Sequence, residues 1–224
     1  MTIFPPLDKF PEYKKLRTSQ DSISDQDFIP VLVDNVFTDE ELKNILQTVK
    51  WFPLEKIRIQ KWGGQGVLDH ITISDSVLAK IQKLASEACN KELVIAEHSV
   101  VKYSPKYGYE VKLFPHYDTR SDEMFVFDIQ LKTNEDWGII VEGKQFNLLD
   151  NQALLFSGTQ QMHWRENKKL QDGSEIIMMF CWLKHKISKP ISENQSTIML
   201  ERQKVLQKET NILSDETLRE GVQY

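Results

Sequence analysis

The chain has 224 residues with a formal net charge of −5, and 40% of the residues are hydrophobic. This composition is typical of a globular protein, and the acidic balance argues against a dedicated nucleic-acid binder, which carries a basic surface. No apolar run in the sequence reaches the roughly 20 residues that a membrane-spanning helix needs.

Targeting and redox signals are weak. The first residues, MTIFPPLDKFPEY, lack the apolar core of a signal peptide. The two cysteines, Cys89 and Cys181, are too few for a disulfide framework and fall in apolar patterns. We therefore expect a cytoplasmic protein with buried thiols, with neither a membrane nor a nucleic acid among its partners.

The N-terminal part of the chain predicts one strand and two helices. Residues 1–27 are polar and contain several prolines, so we expect an arm or loop. FIPVLVDNVF (28–37) is β-branched and apolar, as in a strand. Thr38 with Glu41 three residues later forms a capping box at the start of a helix. Residues 74–92 predict a second helix with one apolar face.

A glycine-rich segment separates the two predicted helices. KWGGQGVLDH (61–70) has glycines in a spacing that is not that of a dinucleotide-binding loop, and no βα unit surrounds them. We expect this segment to form a mobile loop.

From residue 93 the hydrophobic pattern changes from a helical period to the alternation of β-strands. Short alternating runs follow one another up to residue 183, with turn signals between them and Glu142-Gly143 as a hairpin turn. This pattern is typical of a sandwich, a jelly roll or a barrel. Because the helices precede the strands, the predicted fold class is α+β.

The sequence therefore divides into an N-terminal arm (1–27), one domain (28–183) and a polar C-terminal tail (184–224). Within the tail, residues 193–209 predict an amphipathic helix. Its apolar positions are Ile198, Leu200, Val205 and Leu206. Such a helix packs on the surface of its own chain or in a dimer, so a homodimer through the tail is one expected arrangement.

Three residues of the β region predict a metal site. His116 and Asp118 are two residues apart in an extended segment, so the alternation of a strand puts both side chains on one face. His163 follows several strands later, and a jelly roll can return a later strand to the side of an earlier one. Two imidazoles and one carboxylate on one face of an ion form the triad that suits non-haem Fe(II) oxygenases. This spacing also occurs by chance, and its position among strands is what favours a site.

The segments around these residues carry a family resemblance. They are VLVDNVFTDEELKNIL (31–46), VVKYSPKYGYEVKLFPHYD (100–118) and NQALLFSGTQQMHWRE (151–166). They resemble the 2-oxoglutarate/Fe(II)-dependent oxygenase superfamily, and within it the prolyl-hydroxylase-like branch, where small members carry the distal histidine in a His-Trp-Arg triplet. The resemblance implies a double-stranded β-helix, the jelly-roll or cupin-like core, with the N-terminal helices packed on its major sheet.

The resemblance also implies a chemistry. Fe(II) would be held by His116, Asp118 and His163, with 2-oxoglutarate as co-substrate and O2 as the oxidant. The products would be succinate, CO2 and a hydroxylated substrate, because a full carboxylate at Asp118 favours hydroxylation over halogenation. The substrate would be a small molecule or an amino-acid side chain, free or in a protein.

The far carboxylate of 2-oxoglutarate needs a cation, preferably the fork of an arginine. Relatives often place that cation a short distance after the distal histidine, but Gly173-Ser174-Glu175 stand there. Arg165, two residues after His163 and on the same face of a strand, is the first candidate. Tyr103 matches a tyrosine that hydrogen-bonds the co-substrate in the prolyl-hydroxylase-like branch.

Two lysines are rival anchors. Lys132 ends the run MFVFDIQLK, on the face that alternation also assigns to Asp128, and some branches of the superfamily use a lysine on that strand. Lys112 shares its face with His116 and is the weaker alternative.

Two other functions stay open from the sequence. The chain would be a cupin-like metal protein that is not an oxygenase, although such proteins carry more histidines close together. Or it would be a non-catalytic jelly-roll binding module, which the missing downstream cation allows.

Overall fold

The protein is described by a computed structural model over residues 7–61 and 63–211. Its helices are α1 (Pro11–Ser19), α2 (Asp39–Lys50), α3 (Asp75–Cys89) and α4 (Glu193–Thr210). Its strands are β1 (Val31–Val33), β2 (Ile57–Gln60), β3 (Gln65–Leu68), β4 (Leu93–Tyr103), β5 (Val111–His116), β6 (Met124–Thr133), β7 (Ile139–Val141), β8 (Lys144–Phe146), β9 (Gln152–Phe156), β10 (His163–Lys168) and β11 (Ile176–His185). None of the helices in these ranges combines the length and the apolar character needed to cross a bilayer.

The strands form two antiparallel sheets with nested pairing. β4 pairs with β11, β5 with β10, β6 with β9, and β7 with β8. The larger sheet has the order β1-β9-β6-β11-β4-β3-β2, and the smaller sheet has the order β5-β10-β7-β8. Successive strands from β4 onward therefore alternate between the sheets, except at the β7–β8 hairpin. This is the topology of a jelly roll, and the α+β prediction is confirmed.

The β7–β8 hairpin forms at the predicted Glu142-Gly143 turn. Both residues have positive φ, 48° and 83°, as a two-residue turn between antiparallel strands requires. Val141 and Lys144 pair on either side of it. The Glu142 side chain is fully buried, which the sequence pattern did not indicate.

The largest cluster of buried apolar side chains lies on one face of the larger sheet. Helix α2 begins at the predicted capping box of Thr38 and Glu41, and α3 is capped by Ser74. Both helices contribute to this cluster together with alternate residues of β6 and β11. The members include Ile45, Val49, Val77, Ile81, Ala85, Phe125, Phe127, Ile129, Ile177, Met179, Cys181 and Leu183. Alternation therefore leaves the other face of β6 and β11 toward the smaller sheet.

The expected N-terminal arm is helical in its described part. Residues 11–19 form α1 with Pro11 in its first turn, and Tyr13 and Arg17 on this helix are buried. The Tyr13 hydroxyl donates to Glu142 Oε1 at 2.9 Å, and Arg17 Nε lies 3.0 Å from Glu142 Oε2. The polar, proline-containing sequence predicted an arm or loop, because these long-range polar contacts cannot be seen in a local pattern.

The tail contains the predicted helix α4, whose side chains pack within the same chain. Ile198, Met199 and Leu206 are buried in a cluster with α1 residues and with side chains of the smaller sheet. Leu200 points outward and is 53% exposed. The described residues thus give α4 an intramolecular role, and the homodimer stays a prediction.

The predicted loop at 61–70 is instead the second half of a hairpin. β2 and β3 pair from Ile57 to Leu68, and β3 then pairs with β4. Gly64 takes a left-handed φ of 64° in the turn. A Cβ on Gly66 would lie 2.6 Å from the Tyr107 hydroxyl, so close packing against Tyr107 requires a glycine at this position. The glycines that suggested mobility belong to a tight turn and a strand edge.

Candidate metal centre

Three side chains with ligand atoms meet where β5 ends and β10 begins. His116 ends β5, Asp118 follows two residues later, and His163 opens β10 opposite His116. His116 Nε2 lies 3.5 Å and His163 Nε2 lies 3.7 Å from Asp118 Oδ1. Two donors bound at right angles, each about 2.1 Å from one ion, lie about 3.0 Å apart. The three atoms therefore form a slightly open facial set that a small inward movement would close.

The far sides of the two imidazoles are held by backbone carbonyls. His116 Nδ1 lies 2.8 Å from the Phe114 carbonyl oxygen, and His163 Nδ1 lies 3.0 Å from the Gln161 carbonyl oxygen. Because a carbonyl only accepts, each Nδ1 carries the proton. In each ring Nε2 is then the nitrogen that faces Asp118 and is left for a metal, the arrangement that metal-binding histidines use.

Asp118 is fixed through its other oxygen and its backbone. The Trp182 indole N–H donates to Asp118 Oδ2 at 2.9 Å, which leaves Oδ1 for the histidines. The Asp118 amide donates to the Gly158 carbonyl at 2.9 Å. A Cβ on Gly158 would lie 2.6 Å from Asp118 Oδ2 and 2.4 Å from Val126 Cγ2, so only glycine allows this approach.

The protonation states suit metal binding. Burial raises the pKa of Asp118, but the hydrogen bond from His116 and the charges of both histidines outweigh it and bring that pKa to about 2. Burial, with the charge of His116 acting in the same direction, lowers the pKa of His163 to about 4. Near neutral pH the site therefore offers an ionised carboxylate and a neutral imidazole, which are the forms that bind metals.

Arg165 points into the same interior as His163, but it already has a partner. Its Nη2 donates to Asp128 Oδ2 at 2.7 Å, and its Nη1 donates to the Trp137 carbonyl at 2.6 Å. The guanidinium also lies 5.0 Å from the centre of the Trp137 ring. Arg165 is 1% exposed and Asp128 is fully buried. The first-choice anchor is thus one half of a buried ion pair, which the sequence interpretation did not include.

Asp128 has one oxygen without a partner. Oδ1 is buried and forms no hydrogen bond with the described residues. Burial raises the pKa of Asp128, against the lowering effect of Arg165. An unmet polar atom beside a cation leaves hydrogen-bonding capacity for a ligand, provided that the carboxyl carries a proton.

Tyr103 lies beside this ion pair. Its ring meets the Trp137 ring edge to face, with centroids 4.8 Å apart. Its hydroxyl donates to Gln65 Oε1 at 2.7 Å, a contact that exists because β3 pairs with β4. Burial raises the pKa of Tyr103 above its usual range, so it stays a neutral donor. Tyr103 therefore faces the interior, near Arg165 and Asp128.

Lys132 lies on the wrong side of the larger sheet. A register shift between Ile177 and Met178 lies opposite the end of β6. The simple alternation of faces predicted from the sequence therefore does not hold at Lys132. Lys132 Nζ lies 2.9 Å from Glu175 Oε2, and both residues line a cleft against α2. Lys132 is therefore not an interior anchor.

Lys112 is half-buried on β5, and it forms no ion pair with the residues that the structure describes. It lies on β5, the strand of the smaller sheet that ends at His116, and it stays a secondary candidate for the anchor.

Arg120 lies next to Trp182, which donates a hydrogen bond to the triad residue Asp118. Its guanidinium lies 4.9 Å from the centre of the Trp182 ring, and its Nη1 lies 2.9 Å from Glu97 Oε2. Trp182 thus joins the Asp118 carboxylate on one side to Arg120 on the other. The charge of Arg120 is balanced by Glu97.

Comparison with known proteins supports the fold. No protein-family model and no curated sequence matches this chain. Among solved structures, HygX from Streptomyces hygroscopicus with nickel and 2-oxoglutarate bound has a TM-score of 0.54 at 10% identity, covering 73% of this chain and 85% of that one. The non-haem alpha-ketoglutarate-dependent epimerase SnoN from nogalamycin biosynthesis has a TM-score of 0.55 at 11% identity, covering 80% and 86%. A Pseudomonas putida prolyl-4-hydroxylase has a TM-score of 0.53 at 10% identity, covering 70% and 92%.

By their descriptions, these structural neighbours are a protein with bound nickel and 2-oxoglutarate, an alpha-ketoglutarate-dependent epimerase and a prolyl-4-hydroxylase. At such low identity the likeness shows a common fold, the jelly roll that the sequence resemblance implied. The branch that the His-Trp-Arg triplet suggested stays a prediction.

Several residues of the site escaped sequence analysis. Asp128 had a signal, because a lone acid interrupts the otherwise apolar run MFVFDI. Trp182 and Gly158 had none, because their contacts with Asp118 join segments far apart in the chain. Gln65 lay in a segment interpreted as a loop.

Proposed function

We propose that this protein is an Fe(II)- and 2-oxoglutarate-dependent dioxygenase that hydroxylates an unactivated C–H bond. The observation that carries the proposal is the convergence of His116 Nε2, His163 Nε2 and Asp118 Oδ1 within a jelly roll whose structural neighbours include 2-oxoglutarate enzymes. The proposal includes the N-terminal helices as outer supports of the larger sheet.

The donor set fits Fe(II). Two imidazole nitrogens and one carboxylate oxygen on one side leave the opposite positions open, the pattern of non-haem iron oxygenases. The other polar atom of each of these side chains is held by a hydrogen bond within the chain. The three donors therefore face one another before any ion binds. When bound, Fe(II), 2-oxoglutarate and O2 supply the oxidative decarboxylation and the oxidation of the substrate.

The chain's own residues orient and enclose that chemistry. Trp182 keeps Asp118 turned toward the histidines, and Phe156 packs on His163 with ring centroids 4.8 Å apart. The interior between the sheets is lined by apolar side chains, including Met178 and Val111, which are fully buried. A dry, apolar interior excludes water from the reacting groups and protects reactive species.

The far carboxylate of 2-oxoglutarate would bind at the Tyr103–Arg165 side of the interior. Tyr103 can turn its hydroxyl from Gln65 to the ligand, and Arg165 keeps N–H groups beyond the two that Asp128 and the Trp137 carbonyl occupy. A second carboxylate beside Asp128 requires that Asp128 be protonated, and the upward direction of its pKa supports this. With Asp128 protonated, the positive charge of Arg165 would pair with the far carboxylate of 2-oxoglutarate instead of with Asp128.

The substrate would be a small molecule or an amino-acid side chain. Arg120, Glu97 and Trp182 border the approach to the triad and present both charges and an aromatic face. Such a border suits a polar, uncharged or zwitterionic substrate better than a strongly charged one.

The test is the formation of succinate from 2-oxoglutarate by the purified protein with Fe(II) under air. We expect turnover in the wild type and its loss, by at least about a hundredfold, in His116→Ala and Asp118→Ala, because two ligands hold iron poorly. His70→Asn is the matched control, because His70 is exposed and belongs to neither histidine–carboxylate cluster. Unchanged succinate formation in both triad variants would overturn the proposal.

A metal protein that does not use 2-oxoglutarate is the second candidate. The observation that favours it is the buried pairing of Arg165 with Asp128, which leaves no unpaired interior arginine at the expected anchor. In that case the wild type would bind Fe(II) through the triad, yet succinate would not form and 2-oxoglutarate would not alter metal affinity.

A further inference from the structure

A second group of metal-ligand side chains lies away from the triad. Asp25, Glu123 and His185 each present a ligand atom, and these atoms lie within 4.8 Å of one another. His185 Nε2 is 3.5 Å from Asp25 Oδ2. Glu123 is 6% exposed and His185 is 8% exposed. None of the three belongs to the site proposed for iron.

The three converging atoms lack hydrogen-bond partners. Asp25 Oδ2, Glu123 Oε2 and His185 Nε2 are all buried, and none forms a hydrogen bond with any described residue. Leaving one such atom unmet costs about 1–3 kcal/mol, so three that face one point need an explanation. A ligand common to all three would remove the cost at once.

The other oxygen of each carboxylate has a partner. Asp25 Oδ1 lies 2.6 Å from Lys91 Nζ, and Glu123 Oε1 accepts a long hydrogen bond of 3.5 Å from Gln195 Nε2. The Asp25 amide donates to the Gln160 side chain. These contacts fix the two carboxylates so that their remaining oxygens point toward His185, as Trp182 does for Asp118 in the triad.

The distances suit a small cation. Two donors at tetrahedral angles, each about 2.1 Å from one ion, lie about 3.4 Å apart, close to the 3.5 Å between His185 Nε2 and Asp25 Oδ2. An imidazole with two carboxylates suits a first-row divalent ion such as Zn²⁺, whereas Ca²⁺ and Mg²⁺ prefer oxygen donors alone.

We propose that Asp25, Glu123 and His185 form a second divalent-cation site, of the Zn²⁺ class, that is structural. Its ligands come from three separate segments. Asp25 lies in the turn after α1, Glu123 immediately precedes β6, and His185 ends β11. An ion there cross-links the N-terminal segment to two central strands of the larger sheet, which a folded but metal-free chain leaves to weaker contacts.

The rival explanation is a proton that Asp25, Glu123 and His185 share in place of a metal ion. The charges around His185 distinguish the two explanations. Lys91 and Lys189 are the cations that face His185, and together with burial they lower the pKa of its imidazole. Asp25 alone favours the protonated ring. A neutral His185 leaves its Nε2 free to bind a metal, whereas a protonated His185 would bridge the two carboxylates without one.

The test measures Zn²⁺ bound per chain in full-length protein that is stripped with a chelator, reloaded with Zn²⁺ and dialysed, with the triad disabled by His116→Ala and Asp118→Ala. This background removes the ion that the first site would take. We expect one Zn²⁺ per chain, and none when Glu123→Gln and His185→Gln are added. His70→Asn in the same background is the control and keeps the ion. Zn²⁺ should also slow proteolysis in the segment around Asp25.

A folded triad-disabled protein that binds no Zn²⁺ would overturn the proposal and favour the shared proton. So would Zn²⁺ binding that survives the Gln substitutions. Asp25→Asn is the second variant if the double substitution prevents folding, because Asp25 lies outside the jelly roll. It should weaken Zn²⁺ binding by at least about tenfold, and an unchanged affinity would count against the site.

Discussion

Asp118 and Asp128 are two carboxylates of the same interior, and their neighbours set them apart. Asp118 lies between two imidazoles and an indole N–H, and these neighbours bring its pKa to about 2 despite burial. Asp128 has Arg165 on one oxygen and no partner on the other, and burial raises its pKa. The two carboxyl groups of one interior thus have pKa values that are shifted in opposite directions.

In the proposed function, this difference divides the interior into a metal end and an anion end. At the metal end, nitrogen donors collect around an ionised oxygen. At the anion end, Arg165, Tyr103 and Asp128 offer N–H and O–H groups in an apolar setting, where hydrogen bonds to charged ligands are strong. A dicarboxylate keto acid that spans both ends would match the arrangement.

The largest expected effect comes from breaking the anion end with Arg165→Met. This change leaves Asp128 buried without a cation, and we expect the free energy of unfolding near pH 7 to fall by roughly 3 kcal/mol. Because the folded-state pKa of Asp128 is raised, its favourable contribution is complete below the unfolded value of about 3.9 and is lost as pH rises through the folded value. The loss caused by Arg165→Met should therefore be smaller near pH 4 than at pH 7, as urea unfolding would show.

The matched control is the double variant Arg165→Met with Asp128→Asn, which removes both charges. It should recover part of the lost stability, because no unpaired charge remains buried. It should not recover 2-oxoglutarate binding if Arg165 is the anchor. A single variant as stable as the wild type at both pH values would contradict an ionised pair.

The metal end can be broken without touching a ligand by Gly158→Ala. The new Cβ would meet Asp118 Oδ2 at 2.6 Å and Val126 at 2.4 Å, so Asp118 must move. We expect a loss of about 1–3 kcal/mol in stability and loss of Fe(II) binding, measured by equilibrium dialysis. Gly63→Ala is the control, because its Cβ would meet nothing closer than 3.6 Å. Normal iron affinity in Gly158→Ala would show that Asp118 is not held as described.

The metal end was predictable from the sequence to a greater extent than the anion end. The spacing of His116 and Asp118 lies within one extended segment, and alternation is a local rule. The pairing of Arg165 with Asp128 joins β10 to β6, across both sheets, and no local rule reports it. Lys132 was misplaced for a related reason, since a register shift near the end of β6 changes which face a residue occupies.

The same distinction, between features set by nearby residues and features set by distant contacts, applies to the prediction of the overall fold. The strand order along the chain and the capping box of Thr38 and Glu41 were predicted because they depend on nearby residues. The helical arm was missed because Tyr13 and Arg17 are buried by Glu142, which is distant in sequence. Long-range polar contacts decide these features, and a single sequence does not display them.

The smallest expected effect is that of Trp182→Phe, which tests how the indole N–H holds the Asp118 carboxylate. The phenyl ring keeps the aromatic contact with Arg120 but removes the N–H that holds Asp118 Oδ2. We expect Fe(II) affinity to fall by about tenfold to a hundredfold, since the carboxylate can then rotate away from the histidines, while the fold stays intact by circular dichroism. Trp51→Phe, at a residue that is 75% exposed, should leave the affinity unchanged. An equal affinity in Trp182→Phe would mean that the histidines alone orient Asp118.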